Sequence, residues 1–477
     1  MRGSRDRARR AHCHGANAGN HRERGAGGQC NTGRPPPGVV APTRSATLRP
    51  AFSTLCRWAR DAASPGRSIV RDLDGAVGAH RDNARRAGTR RRRGARVSLR
   101  FLTAGESHGE RLTVILDGIP AGLTLREEDL VADLRRRQGG HGRGGRMAIE
   151  QDAAHIVAGV RGGLTLGSPI TLEIANRDWE NWRQVMAVDP AEVKRKPITR
   201  VRPGHADLAG MLKYGADDAR DVLERASARE TAARVAAGGV AKLLLKEFGI
   251  LVRSYTHAVG AIKCQAGASV DWATVESSPV RCPDAKAGAA MVAAIDAARE
   301  HGDTLGGVFT VIAEGVPPGL GSYRQWDTRL DGLLAQAIVS IPACKAVAIG
   351  DGVVGASLPG SEVHDVPVYE NERLGHETNR AGGLTGGVSN GEPLVVHGYM
   401  KPISTLLKPL ATVDLKTKEP ARAHYERSDI CVVPAAGVVG EAMVALVLAG
   451  AVLEKFGGDS LPELRRNVEG YLAKVRA

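Results

Sequence analysis

Two glycine-edged turns carry the histidines best placed for chemistry. The first is Thr103-Ala104-Gly105-Glu106-Ser107-His108-Gly109-Glu110, and the second is Arg200-Val201-Arg202-Pro203-Gly204-His205-Ala206-Asp207. Imidazole exchanges protons near neutral pH, so each histidine is a candidate general acid or base. In the first turn Ser107 adds a hydroxyl beside the ring. In the second, Arg200 and Arg202 add positive charge. The competing reading of either turn alone is an ordinary polar surface loop between two strands.

The next signal is a concentration of anion-binding groups. Arg135-Arg136-Arg137-Gln138 runs into Gly139-Gly140-His141-Gly142-Arg143-Gly144-Gly145-Arg146. No Gly-Lys-Ser/Thr follows, so this is not a Walker loop. It follows a helix pattern rather than preceding one, so it is not the dinucleotide fingerprint. What remains is a set of guanidiniums on a glycine-rich backbone, suited to bidentate pairing with carboxylates and phosphates. A solvated basic linker is the bland alternative. Further on, Leu223-Glu224-Arg225-Ala226-Ser227-Ala228-Arg229-Glu230-Thr231 opens an Ala-rich helical stretch. Ser227 and Thr231, with free amides at a helix start, suit a phosphate or a ring oxygen.

These residues need a scaffold, and the hydrophobic pattern supplies one. The apolar alternation of Val97, Leu99 and Phe101 predicts a strand before the first turn, and the run Leu112 to Ile119 predicts another after it. The spacing of Leu125, Leu130, Val131 and Leu134 predicts a helix from Leu123 to Arg137, capped by Thr124 with Glu127 as capping-box partner. Strands are expected at Ile156 to Val160, Ile170 to Ile174, Val308 to Glu314 and Pro393 to Met400. Trp179 and Trp182 fall in a polar loop. One long helix is expected from the Leu223–Thr231 stretch to about Phe248, stopped by Gly249. The segment from Cys264 to Pro283 reads as irregular. Further helices are expected at Met291 to His301, Leu330 to Val339, Gly440 to Phe456 and Leu461 to Val475. Leu116-Asp117-Gly118-Ile119-Pro120-Ala121-Gly122-Leu123 is echoed by Ala313-Glu314-Gly315-Val316-Pro317-Pro318-Gly319-Leu320, which suggests a duplicated chain of two related halves.

Charge separates this scaffold from what precedes it. Residues 1–97 contain 22 Arg, no Lys and six acidic residues, a net of +16; subtracting that from the chain's +14 leaves −2 for residues 98–477. A nearly neutral, aromatic-poor body argues against nucleic-acid binding. The Arg-, Gly- and Pro-rich leader is too poor in apolar residues to offset its ordering entropy, so disorder is expected there. It reads as a targeting segment, as an RNA-binding arm, or as upstream sequence outside the working protein; the abrupt start of periodicity at Val97 favours the last. His12-Cys13-His14 lacks a second ligand cluster, and no metal site is expected. Seven cysteines without paired spacing fit a reducing compartment. The apolar stretch Ala442 to Leu453, flanked by Glu441 and Glu454, is too short to span a bilayer and predicts a buried helix.

Taken together, Thr103–Gly109, Leu134–Arg146, Arg202–Asp207, Glu224–Thr231, Gly302–Gly307, Gly386–Gly391, Lys401–Thr405 and Arg427–Asp429 occur in the order and at the spacing of one family. From about Ser98 onward the chain resembles chorismate synthase. The resemblance implies an α+β fold, a β-α-β sandwich with helices between antiparallel sheets, in a cytoplasmic homotetramer with no membrane or nucleic-acid partner. It implies conversion of 5-enolpyruvylshikimate 3-phosphate to chorismate by anti 1,4-elimination, the last step of the shikimate pathway, with reduced FMN required and NADPH as a reductant in some relatives. A flavin reductase acting on NADPH is therefore the competing enzymatic reading.

By the same resemblance His108 serves the departing phosphate, His205 lies beside the flavin, and Asp429 relays the C6 proton near flavin N5. Ser107, Arg137, Arg143, Arg146, Arg202 and Arg229 fall to the substrate. Flavin contacts fall to Arg137, Arg143, Arg225, Ala226, Ser227, Pro342, Ala343, Gly386, Lys401, Pro402, Ile403, Ser404, Thr405 and Arg427. Pro342 stands where many relatives have Asn or Gln, so only backbone contact carries over there. Thr385 and Ala226 also depart from common family residues.

Overall fold

Alternating apolar residues, clearest in Arg111–Asp117, Ile170–Ala175 and Leu394–Met400, build two sheets, each with one face turned to a shared helical core. The computed structural model describes residues 99–144, 151–265, 269–370, 373–426 and 428–476. The expectations for the leader, and for Arg146 and Arg427, lie outside the described residues.

The first sheet contains β1 (Arg100–Ala104), β2 (Arg111–Asp117), β3 (Ala154–Ala158) and β4 (Ile170–Ala175), in the order β1-β2-β4-β3, with every neighbour antiparallel. Its register sets Leu112 against Ile174, Val114 against Leu172 and Leu116 against Ile170, all buried. A one-residue slip would turn this apolar row to solvent, which is what fixes the register. The second sheet contains β5 (Leu251–Val259), β6 (Ile262–Lys263), β7 (Gly307–Glu314), β8 (Cys344–Ile349) and β9 (Leu394–Met400), in the order β6-β5-β7-β9-β8, again antiparallel throughout. Its inner face pairs Val396 with Val311 and Gly398 with Phe309. Gly398 makes room for the aromatic ring: a Cβ there would lie 2.2 Å from Phe309 Cζ.

The longer helices are α1 (Glu128–Gln138), α2 (Asp207–Tyr214), α3 (Arg220–Ala226), α4 (Thr231–Lys246), α5 (Ala285–Glu300), α6 (Leu330–Val339), α7 (Val433–Phe456) and α8 (Leu461–Arg476). Helix α4 packs on the first sheet, α7 on the second, and the two pack on each other. They cross closely because α4 has glycine at the crossing, where a Cβ on Gly238 would lie 2.3 Å from the Ala442 Cβ. Among the described residues α7 is long and apolar enough to cross a membrane, yet 89% of its most apolar window is buried, as a core helix between two sheets requires.

The echo in the sequence is a duplication of topology. With the two-residue β6 set aside, both sheets run first-second-fourth-third in chain order. The echoed segments follow β2 and β7, the second strand of each sheet. Their glycines take left-handed backbone at matching places: Gly118 (φ 106°) and Gly122 (90°) in one, Gly315 (75°) and Gly319 (93°) in the other. Helices α1 and α6 come next in each half, and α4 and α7 follow the fourth strands.

Five local expectations need correction. Helix α1 begins at Glu128, because Thr124 bridges to Leu164 and the Glu127 carboxylate accepts from the Ile156 amide of β3 (2.9 Å) instead of closing a capping box. The expected helix from Leu223 to Phe248 is interrupted at Ser227, which is extended (φ −63°, ψ 140°) and accepts from the Arg229 amide; a 3₁₀ turn, Ala228–Glu230, precedes α4. Serine hydroxyls that bond nearby amides favour such breaks. Trp179–Trp182 is a one-turn helix, and the segment read as irregular contains the helix Trp272–Ser277. Helix α7 starts two turns earlier than predicted, with Pro434 in its first turn, where a missing N–H costs nothing.

Candidate active site

The duplication leaves a cavity of about 400 Å³ where both halves contribute loops and helix starts. The hairpin between β1 and β2 brings Ser107 and His108 to it. That hairpin is held from two sides. The Asn176 amide at the end of β4 donates to the Ser107 and Gly109 carbonyls (3.2 and 2.9 Å), and Arg225 donates to the Thr103 and Gly105 carbonyls (2.8 and 3.1 Å). Arg225 is thus an anchor for the histidine turn and is not among the residues lining the cavity, contrary to its expected flavin contact.

Both histidines are backed by buried carboxylates. His108 Nδ1 lies 2.9 Å from Glu224, and the His108 amide donates to the same carboxylate (2.9 Å). Arg220 holds Glu224 from behind at 2.8 Å. Trp182 stacks on the His108 ring with centroids 3.8 Å apart. His205 Nδ1 lies 2.5 Å from Asp207, whose other oxygen accepts from Arg202 Nε at 2.9 Å. Burial opposes ionisation of Asp207, but its bonds to His205 and Arg202 outweigh that and hold its carboxyl well below the usual range.

The cationic set comes from four stretches of chain. Arg137 and Arg229 share the buried Asp152 (3.3 and 2.5 Å), and Arg137 also donates to Thr231 Oγ1 and the Ala228 carbonyl (3.0 and 2.9 Å). The break at Ser227 brings Ala226, Ser227 and Arg229 to the wall. Arg143 pairs with Asp429 at 3.1 Å, and Asp429 accepts from the Gly144 amide at 2.6 Å. The expected substrate clamp and the expected proton relay are therefore ion-pair partners. Arg202, Lys401 and Asp429 line the same space.

The opposite wall is apolar. Ala435, Ala436 and Val439 on α7 join Ile341 and Met400 there, with Pro342 and Ala343 at its edge. Ala343 takes positive φ (68°) and its carbonyl accepts from the Lys401 amide (3.0 Å), which couples the two segments. Ile403, Ser404 and Thr405 complete that side. Lys401 Nζ donates to the Gly204 carbonyl and Ser404 Oγ, both at 2.9 Å; burial, then the nearby Lys345 charge, pull its ammonium below the ordinary range. A flat wall of small apolar side chains facing hydroxyls and an ammonium fits a flavin: the ring needs the wall, and its polar edge and phosphate need the donors.

Two further expectations are not met by the cavity. Gly386 sits with Gly387 in the turn joining the short strands Leu384–Thr385 and Val388–Ser389; both have positive φ, the requirement of a type I′ hairpin. Pro402 does not line the cavity; its nitrogen lies against Gly306. In the other direction, Asp152, Asp207, Glu224, Glu426 and Trp182 carry roles that sequence reasoning did not assign. Asp207 and Glu224 lay inside quoted motifs, whereas nothing in the sequence around Asp152 marks it. Glu426 lines the cavity as a carboxylate: burial opposes its ionisation, and His424, Arg202 and Arg220 outweigh it.

A family model described as chorismate synthase matches residues 99–453. The chain belongs to the chorismate synthase family. The chorismate synthase of Moorella thermoacetica is 59% identical over 377 residues, covering 78% of this chain and 98% of that protein. That of Desulforudis audaxviator is 56% identical over 384 residues, covering 80% and 98%. A solved structure titled "Crystal Structure of Chorismate Synthase" superposes with a TM-score of 0.64 at 42% identity, over 79% of this chain and 98% of that one. The α+β sandwich is thus the family fold, and the chain is an enzyme with chorismate synthase activity on a small-molecule substrate.

Proposed function

We propose that the cavity converts 5-enolpyruvylshikimate 3-phosphate to chorismate and phosphate, a carbon–oxygen lyase reaction, with reduced FMN as cofactor. In this anti 1,4-elimination the C3–O bond breaks, the C6 proton leaves, and the electrons of the C–H bond end in the new diene, so no net redox change occurs. The observation that carries the reading is the convergence of Arg137, Arg143, Arg202 and Arg229 with two carboxylate-backed histidines opposite an apolar wall. A substrate carrying two carboxylates and a phosphate needs those guanidiniums.

When bound, FMN supplies an electron-rich reduced ring that assists loss of phosphate. Lys401, Ser404, Thr405, Ser227 and the Ala435–Val439 wall would hold it. His108 and Ser107 bind the departing phosphate, with the proton for it on the ring nitrogen facing the cavity. His205 keeps the cofactor in its reactive protonation state. Asp429, poised by Arg143, takes part in removing the C6 proton. Residues 98–477 form the catalytic part, as a cytoplasmic homotetramer, and residues 1–97 contribute nothing to turnover.

The test is chorismate formation and phosphate release by the full chain supplied with chemically reduced FMN, with and without NADPH. Equal release of chorismate and phosphate is expected. Absence of phosphate release with FMN reduced would overturn the assignment, and turnover from oxidised FMN plus NADPH alone would show that the chain also reduces its flavin.

A further inference from the structure

We infer that Glu224 is a positioning residue for His108, fixing which ring nitrogen faces the cavity. The inference rests on the reading of His108 as an acid–base group in the proposed reaction.

The argument begins with donors. Glu224 Oε1 accepts from Arg220 Nη1 (2.8 Å) and Oε2 accepts from the His108 backbone amide (2.9 Å). Both oxygens already face N–H groups, and the carboxylate side chain is only 1% exposed. An ionised carboxylate only accepts. His108 Nδ1 lies 2.9 Å from both oxygens, so it must carry a proton; a bare nitrogen there would set lone pairs against lone pairs. That leaves Nε2 as the nitrogen presented to the cavity. The ring cannot turn to exchange the two, because Trp182 covers one face at 3.8 Å and is itself held by Asp178, which accepts from its indole N–H (2.9 Å). Arg220 closes the assembly by lying over the Trp182 ring, 5.0 Å from its centroid, while holding Glu224. With Arg220 on one oxygen and the His108 amide on the other, Glu224 is held as an acceptor that orients the imidazole. When Nε2 also holds a proton, the positive ring faces Glu224. The Arg202–Asp207–His205 cluster repeats the device around the second histidine.

An amide in place of Glu224 must point its NH₂ at Arg220 or at the His108 amide, so one bond is lost and Nδ1 can face a donor. Glu224→Gln should lower kcat by about 10²-fold, the lower end of what a placed acid–base group supplies, with KM for the substrate little changed. In a His108→Ala background the same change should add almost nothing, since a positioning residue acts only through its ring. Penalties that multiply would mark a structural role and overturn the inference. The direct measurement is the ¹⁵N spectrum of histidine-labelled, microcrystalline full chain, with the His108 signals identified by their loss in His108→Asn. A protonated Nδ1 in the wild type supports the inference even should Glu224→Gln fail to fold; a neutral ring protonated on Nε2 alone overturns it. Wild-type turnover in His108→Ala would instead sink the functional reading of His108, and the spectrum would still decide the tautomer.

Discussion

Replacing Glu441 by glutamine should cost about 3–5 kcal/mol of stability at pH 7, the range for removing one partner of a buried ionic cluster. Glu441 lies in the middle of α7 with no exposed surface. Its Oε1 accepts from Arg136 Nη2 and Ser254 Oγ, both at 2.6 Å, and its Oε2 accepts from Arg136 Nη1 (2.9 Å) and from Lys242 Nζ. Arg281 stands 3.6 Å away. Burial alone would raise the carboxyl pKa, but Lys242 and Arg136 outweigh it and hold it at about 2. A fall from 4.5 to about 2 corresponds to about 3 kcal/mol, which agrees with the mutational range. Glutamine keeps the shape but removes the one fully buried negative charge facing Arg136, Lys242 and Arg281, leaving only the more exposed Asp133 and Glu276 to balance them. The sign of the pH effect follows: the folded pKa lies below 4.5, so the stabilisation is complete above about pH 5 and is lost as pH falls toward 2. The gap between wild type and Glu441→Gln, read from urea midpoints at one fixed protein concentration, should therefore narrow from pH 6 to pH 3. A gap below about 1 kcal/mol at pH 7, or one that stays constant down to pH 3, refutes the reasoning.

Other expectations follow from the same geometry. A chain starting at Ser98 should match the full chain in turnover and oligomeric state by assay and light scattering; a large loss of either shows that the leader matters. Arg143→Ala should raise the substrate KM by roughly 10- to 150-fold for loss of one charge-assisted pair, and should also lower kcat because it releases Asp429; weakened flavin binding with unchanged KM would reassign it. Alanine at His108, His205 or Asp429 should lower kcat by about 10²- to 10⁴-fold with the fold intact by circular dichroism. With substrate deuterated at C6, Asp429→Ala should increase the isotope effect more than His108→Ala does; an unchanged effect at near-normal kcat would route the proton elsewhere.

The chemistry was legible where motif and structure coincide, and obscure where a partner comes from far along the chain. Ser107, His108, Arg202 and His205 are marked by residue type and local spacing, Asp429 only by the resemblance, and all five line the cavity. Arg225 lies in the Leu223–Thr231 motif, yet its side chain turns to the Thr103 carbonyl, 122 residues away in sequence. Asp152 joins Arg137 to Arg229 across 15 and 77 residues, a relation no local pattern encodes. The strands were found because alternation is local. The break at Ser227 was missed because the propensity of the alanine-rich stretch favours helix through it, and only the hydroxyl's bond to the Arg229 amide decides otherwise.

The duplication explains why one cavity holds two such different walls. Equivalent elements of the two halves border it: the segment after α1 supplies Arg143 and Gly144, and the segment after α6 supplies Ile341, Pro342 and Ala343. The start of α4 supplies Ser227, Arg229 and Thr231, and the start of α7 supplies Val432, Ala435 and Ala436. In each pair the first half contributes charge and hydroxyls while the second contributes apolar surface. A pseudo-symmetric scaffold therefore places a polar helix start and an apolar helix start side by side. That suits the proposed reaction of a highly anionic substrate beside a flat aromatic cofactor: guanidiniums desolvated against a low-dielectric wall act more strongly on the substrate than they would in water. The close crossing at Gly238 and Ala442 sets the separation of the two helices, and the Glu441 cluster fixes the rotation of α7 one residue away from that crossing. Stability and the shape of the apolar wall are thus set by neighbouring residues of the same helix, so changes at Glu441 should disturb the proposed cofactor site before they unfold the sheets.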